Sequence, residues 1–235
     1  MANSARNQPG VERTERITSV EQDSNPLDKL QGFYETNKKA ISTITTIILV
    51  VVVGYLAYTR LIKGPQEEKA SAAMSYPQTY FMMDSLNLAL NGDGQHPGFS
   101  KLAKKYDGTS SGNLAHYYEG ICYLKMGDFK NAIKSLKEFD GKGTMVAYQA
   151  WGALGEAYKE SGDNNNAIES FKKATGDKDN TMITPMYLYQ LGIAYEDGGK
   201  SKDAVDAFKR IRDEFPRSMQ ARDVEKELAR LGQVD

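Results

Sequence analysis

One cysteine and two histidines are all that this chain holds of the residues that most often form disulfides or bind metals. Cys122 stands alone, so no disulfide closes within the chain. Its place two residues after Gly120 on a predicted helix makes it a small core thiol. His96 and His116 are separated by a loop and a helix start. No cluster of Cys, His and carboxylates stands at ligand spacing, and no metal site is expected. Charge of one sign is also missing. Lys and Arg total 30 against 31 Asp and Glu, a net charge of -1, so no basic surface is expected to draw nucleic acid. There is no GxSxG, no phosphate-cradling glycine loop before a helix, no HExxH and no CxxC. Acidic pairs such as Glu67-Glu68 and Asp213-Glu214 read as solvated helix faces. No catalytic residue and no cofactor are expected, and the chain is not expected to be an enzyme.

What the chain does have is laid out in blocks. Residues 1–26 are polar and short of large apolar side chains. Such a segment cannot bury enough surface to offset its ordering entropy, so a disordered tail is expected. Residues 27–39 place Leu27, Leu30, Phe33 and Tyr34 at helical spacing with charges opposite. They read either as an amphipathic helix at a membrane surface or as the first turns of the helix that follows.

Residues 40–59, AISTITTIILVVVVGYLAYT, carry no charge over twenty positions. As a helix rising ~1.5 Å per residue they span about 30 Å, the thickness of a bilayer's hydrocarbon core. The β-branched run Ile47 to Val53 would suit a strand in water, but the stretch is too long for one. In lipid only a helix satisfies its own backbone groups. Tyr55 and Tyr58 fall near one end, where interfacial aromatics belong. A cleavage-like Ala70-Ser71-Ala72 triplet lies ten residues past the apolar stretch, so an uncleaved single-pass anchor is expected. Lys29, Lys38 and Lys39 before it balance Arg60, Lys63 and Lys69 after it. Charge alone leaves the orientation undecided.

Helical pattern resumes from Gln66 to Leu90, NGDGQHPG makes a turn cluster, and Phe99, Leu102, Ala103 and Tyr106 form a short helix. Residues 66–110 read as a degenerate helical pair. Then one frame recurs three times over residues 113–216. It runs Gly120, Tyr123, Gly127, Ala132, Leu136; then Gly155, Tyr158, Gly162, Ala167, Phe171; then Gly192, Tyr195, Gly199, Ala204, Phe208. The first glycines are 35 and then 37 residues apart. The middle unit reads Trp151-x2-Leu154-Gly155-x2-Tyr158 and ends on Ala174. This resembles the tetratricopeptide (TPR) repeat, a helix pair of about 34 residues. Gly155 and Ala167 are expected at the closest approach of the two helices, and the second glycine at the turn between them. Pro216 ends the last unit. Residues 219–233, with Val224, Leu228 and Leu231 on one face, read as a helix capping the stack. The expected fold is therefore all-α, a single transmembrane helix followed by a TPR α-solenoid.

A TPR stack binds through the concave surface made by the first helix of each pair. The frame places Tyr117, Ile121, Leu124, Gln149, Glu156, Lys159, Met186, Tyr189, Ile193 and Glu196 on that surface. The Lys/Asn/Arg set that clamps a terminal carboxylate in chaperone-binding members is missing. A mixed groove with Tyr and Met suits an apolar peptide or a partner helix.

The segment Leu30-Gln-Gly-Phe-Tyr-Glu-Thr-Asn-Lys-Lys39, the single anchor, the helix around Ser71 to Leu90 and the TPR array resemble the YfgM-like family over residues 28–215. That resemblance implies an ancillary subunit of the bacterial Sec translocon in the inner membrane. It implies a cytoplasmic amino terminus and a periplasmic TPR domain, with the SecYEG channel and a PpiD-type membrane-anchored chaperone as partners. The alternative expectation is a TPR scaffold for another envelope assembly, such as cell-wall synthesis, outer-membrane biogenesis or motility.

Overall fold

Residues 26–233 are described by the structure, a computed structural model, and every element named among them is helical. The polar tail expected over residues 1–26 lies outside the described residues, apart from Pro26. The chain divides into two units, Met1–Leu56 and Ala57–Asp235.

The first unit is one helix for as far as it is described. This helix, α1, runs Pro26–Tyr58 with no break between the amphipathic stretch and the uncharged stretch. Its most apolar eighteen residues have a mean hydropathy of 2.3, and none of that surface is buried. Ile47, Ile48, Leu49 and Val50 to Val53 are all exposed. The few polar side chains inside it turn inward on the backbone. Thr43 Oγ1 donates to Lys39 O at 2.9 Å and Thr46 Oγ1 to Ser42 O at 2.8 Å. Hydroxyls satisfied in this way can sit in hydrocarbon. The helix is long and apolar enough to cross a membrane.

The second unit opens with a π-helical turn, Thr59–Lys63, and then α2, Gly64–Met82. The helical pattern read from Gln66 to Leu90 is broken. Asp84 takes φ 55, a left-handed conformation that ends α2, and the chain restarts as α3, Leu86–Asn91. The turn cluster then leads to α4, Phe99–Lys105. Asp93 organises that loop. Its carboxylate accepts from the Tyr80 hydroxyl at 2.7 Å, from the Gln95 and His96 amides, and from the His96 ring. Those donors hold the Asp93 carboxyl well below the usual carboxylate range, the Tyr80 bond contributing most. Met74, Leu90, Phe99, Leu102 and Cys122 close one core, joining these helices to α5, Ser110–Lys125.

Glu67 does not sit on a solvated face as its sequence context suggests. Its carboxylate accepts from the Ser110 amide at 2.5 Å, the Ser111 amide at 3.1 Å and the Ser111 hydroxyl at 2.6 Å. A negative side chain thus caps the positive end of α5 from 43 residues away.

Three helix pairs follow: α5 with α6, Phe129–Glu138; α7, Val146–Glu160, with α8, Asn164–Ala174; and α9, Ile183–Asp197, with α10, Ser201–Glu214. The repeated frame explains their packing with one adjustment. A Cβ on Gly155 would stand 2.6 Å from the Phe171 ring, on Gly120 2.6 Å from Leu136, and on Gly192 2.4 Å from Phe208. The large residue of the second helix fills the notch over each first glycine. Alanines 132, 167 and 204 are fully buried beside it. The turn glycines Gly127, Gly162 and Gly199 take φ of 79, 84 and 69, which a side chain would strain. Finally α11, Ala221–Arg230, buries Val224 and Leu228 against Leu188, Phe208 and Ile211.

Candidate partner-binding groove

Successive first helices α5, α7 and α9 leave a groove between them of about 780 Å³. Tyr117, Ile121 and Leu124 come from α5, one helical turn apart at each step. Gln149, Glu156 and Lys159 come from α7, and Met186 from α9. Seven of the ten residues read from the sequence frame therefore share one surface.

The remaining three are elsewhere. Tyr189 and Ile193 pack against the cluster that α11 completes with Val224 and Leu228. The Tyr189 hydroxyl donates to Glu227 Oε1 at 3.3 Å. Glu196 accepts from Arg230 Nη2 at 2.7 Å, and Arg230 also bonds Glu227. The cause is the capping helix: α11 lies where a further first helix would lie and occupies that part of the surface.

The sequence frame also missed lining residues. Tyr187, Gln190, Ala153 and Phe129 belong to the groove. Tyr187 is there because position 152 is glycine, where the neighbouring repeats have Tyr117 and Tyr189. A Cβ at Gly152 would stand 1.9 Å from the Tyr187 Cζ. The Tyr117 hydroxyl makes a long bond to Gln149 Oε1 at 3.4 Å and the Tyr187 hydroxyl to Gln149 O at 3.5 Å. Gln149 thus stands between two tyrosines on the groove floor. Burial pushes the Tyr117 phenol up to about 12 and raises that of Tyr187 as well.

The charges in the groove are unevenly compensated. Lys125 Nζ is held by Asp84 at 2.7 Å, and Lys159 Nζ lies 3.8 Å from Asp197. Glu156 is half-buried, and its carboxyl is raised above the usual range, first by burial and then by Glu160. Among the described residues, it has neither a hydrogen bond nor an ion pair. A second, smaller hollow of about 560 Å³ lies across α6, α7 and α8 and is lined by Leu136, Phe139 and Trp151. Lys173 Nζ sits 4.0 Å over the Trp151 ring there.

Tetratricopeptide repeat models match residues 114–140, 148–176 and 187–218. The three helix pairs are tetratricopeptide repeats. Each match begins in a first helix and ends at or past the second, so the groove lies on the surface that the repeats make with their first helices. Among solved structures, the chain is similar to a crystal structure of MamA protein. That match has 23% identity and a TM-score of 0.49, covering 74% of this chain and 82% of that one. A second is MamA 41-end from Desulfovibrio magneticus RS-1, at 18% identity and a TM-score of 0.46, covering 79% of this chain and 94% of that one. No protein of curated function matches the chain.

Proposed function

We propose that this protein is a membrane-anchored interaction scaffold whose tetratricopeptide groove docks a partner polypeptide. The observation that carries this reading is the open groove over α5, α7 and α9, apolar on its Ile121, Leu124 and Met186 side and polar at Gln149 and Glu156. Surfaces of this kind bind by anchoring a few large side chains while the polar groups fix register. The exposed apolar length of α1 supplies the anchor, because so much uncovered aliphatic surface is stable only in lipid. Residues 40–59 would be the part in the bilayer.

The finer reading is an ancillary subunit of the SecYEG translocon. It would hold a PpiD-type chaperone beside emerging secretory polypeptides, with the amino terminus cytoplasmic and the repeats periplasmic. What supports it is the order of elements: an aromatic, basic preface to the anchor, one span, a helical pair and then the array. Purification of the tagged full-length chain in mild detergent tests it. Translocon and chaperone subunits are expected in the eluate. An eluate that contains components of cell-wall synthesis or outer-membrane assembly instead would place the same scaffold in a different machine.

A further inference from the structure

The groove's charge balance points to the chemistry of what enters it, and this inference rests on the docking role just proposed. Every cation that lines the groove already has an acidic partner within the chain: Lys125 has Asp84 and Lys159 has Asp197. Glu156 has no hydrogen bond or ion pair among the described residues; Lys159, one helical turn on, attracts it only at longer range while paired with Asp197. Glu156 stands half-buried on the floor, within electrostatic reach of both Tyr117 and Tyr187, and Glu160 on the same helix adds a second negative charge. A carboxylate that has lost part of its water and gained no donor is a destabilising arrangement for the free protein. It becomes favourable when a donor or cation arrives. Around this point, Ile121, Leu124 and Met186 present aliphatic and thioether surface to whatever flanks the cation.

We propose that the groove takes a segment of a partner polypeptide in which a lysine or arginine stands between apolar residues. The basic head would be seated against Glu156 and its apolar neighbours against Ile121, Leu124 and Met186. This is the opposite polarity to the basic clamp that reads a terminal carboxylate, and it selects an internal basic residue rather than a chain end. A second copy of this chain is a weaker occupant, since the groove lacks free basic residues of its own to offer to a facing Glu156.

An array of fifteen-residue peptides tiled from unrelated proteins, probed with the full-length chain in detergent, tests this. The bound set should be enriched in peptides with a Lys or Arg flanked by large apolar residues. Changing that basic residue to Gln should weaken binding at least tenfold. Glu156→Gln, which keeps shape and is checked by its melting curve, should bind the Lys and Gln peptides equally, and Glu156→Lys should move the preference to peptides with an acidic residue. Equal binding of Lys and Gln peptides by the unaltered chain would overturn the inference while leaving an apolar docking groove in place. Self-association in sedimentation that Glu156→Lys abolishes would also overturn it. Peptide binding that Met186→Glu and Ile121→Asp leave unchanged would remove the docking groove itself.

Discussion

Gly152 shows how much one missing side chain decides. Its hydrogen faces the Tyr187 ring, with two ring carbons at 1.9 and 2.0 Å and the hydroxyl oxygen at 2.3 Å from where a Cβ would stand. Gly152→Ala must therefore expel the ring, and the expected cost is about 1–3 kcal/mol of stability. Thermal melts of the single variants and of Gly152→Ala with Tyr187→Ala check it, and the penalty of the alanine should largely vanish in the double variant. Cys122 gives a second expectation at this scale. It is fully buried, and burial pushes its thiol up to about 12. In the unfolded chain the thiol loses its proton above about pH 8.5. Its contribution is thus present at neutral pH and is lost as the pH rises from there toward about 12. Denaturant midpoints should fall over that range, and more shallowly in Cys122→Ala. The repeated glycine frame was legible in the sequence because each interval lies inside one helix pair. The Gly152–Tyr187 contact was not, because its partner comes from the next pair, where no interval within a repeat can point to it. The signal was present only as a glycine aligned with two tyrosines.

Helix ends differ from repeat to repeat. Asp128 accepts from the Asn131 amide and Asp163 from the Asn166 amide, each at 3.2 Å, capping α6 and α8. The third repeat has Lys200 at that place, with a similar backbone and no side-chain cap. Asp163→Ala should lower stability by about 1 kcal/mol, and Lys200→Asp should raise it by a similar amount. Chemical denaturation of the two variants measures both directions. On α5 the local cap is Thr109, whose Oγ1 accepts from the Gly112 amide at 3.0 Å, and Glu67 adds a second from α2. Glu67→Ala should cost about 1–2 kcal/mol and speed hydrogen exchange at the Ser110 and Ser111 amides, with α6 and α8 unaffected. Helix existence was legible here from apolar spacing, and the break at Asp84 and the cap by Glu67 were not. Asp is among the few non-glycine residues that enter the left-handed region, but most Asp do not, so Asp84 alone carried too weak a mark. A carboxylate on an exposed-looking turn carries no mark of a partner 43 residues ahead.

At the scale of the molecule, two surfaces stand open among the described residues. The apolar length of α1 has nothing among the described residues to cover it, and lipid is the cover its length fits. The groove over α5, α7 and α9 is open, whereas the continuation of that surface along α9 is taken by α11. The frame alone could not show this division, because Tyr189, Ile193 and Glu196 occupy the same repeat positions as Tyr117, Ile121 and Leu124. Only the docking of the capping helix separates them. The open groove is where we propose that a partner binds. A photo-crosslinking residue placed in the full-length protein at Tyr117, Gln149 or Met186 tests it most directly, against exposed positions Lys134 and Asp206 on second helices. One shared partner adduct is expected from the three groove positions and none from the other two. Adducts from Lys134 or Asp206 with none from the groove would contradict it.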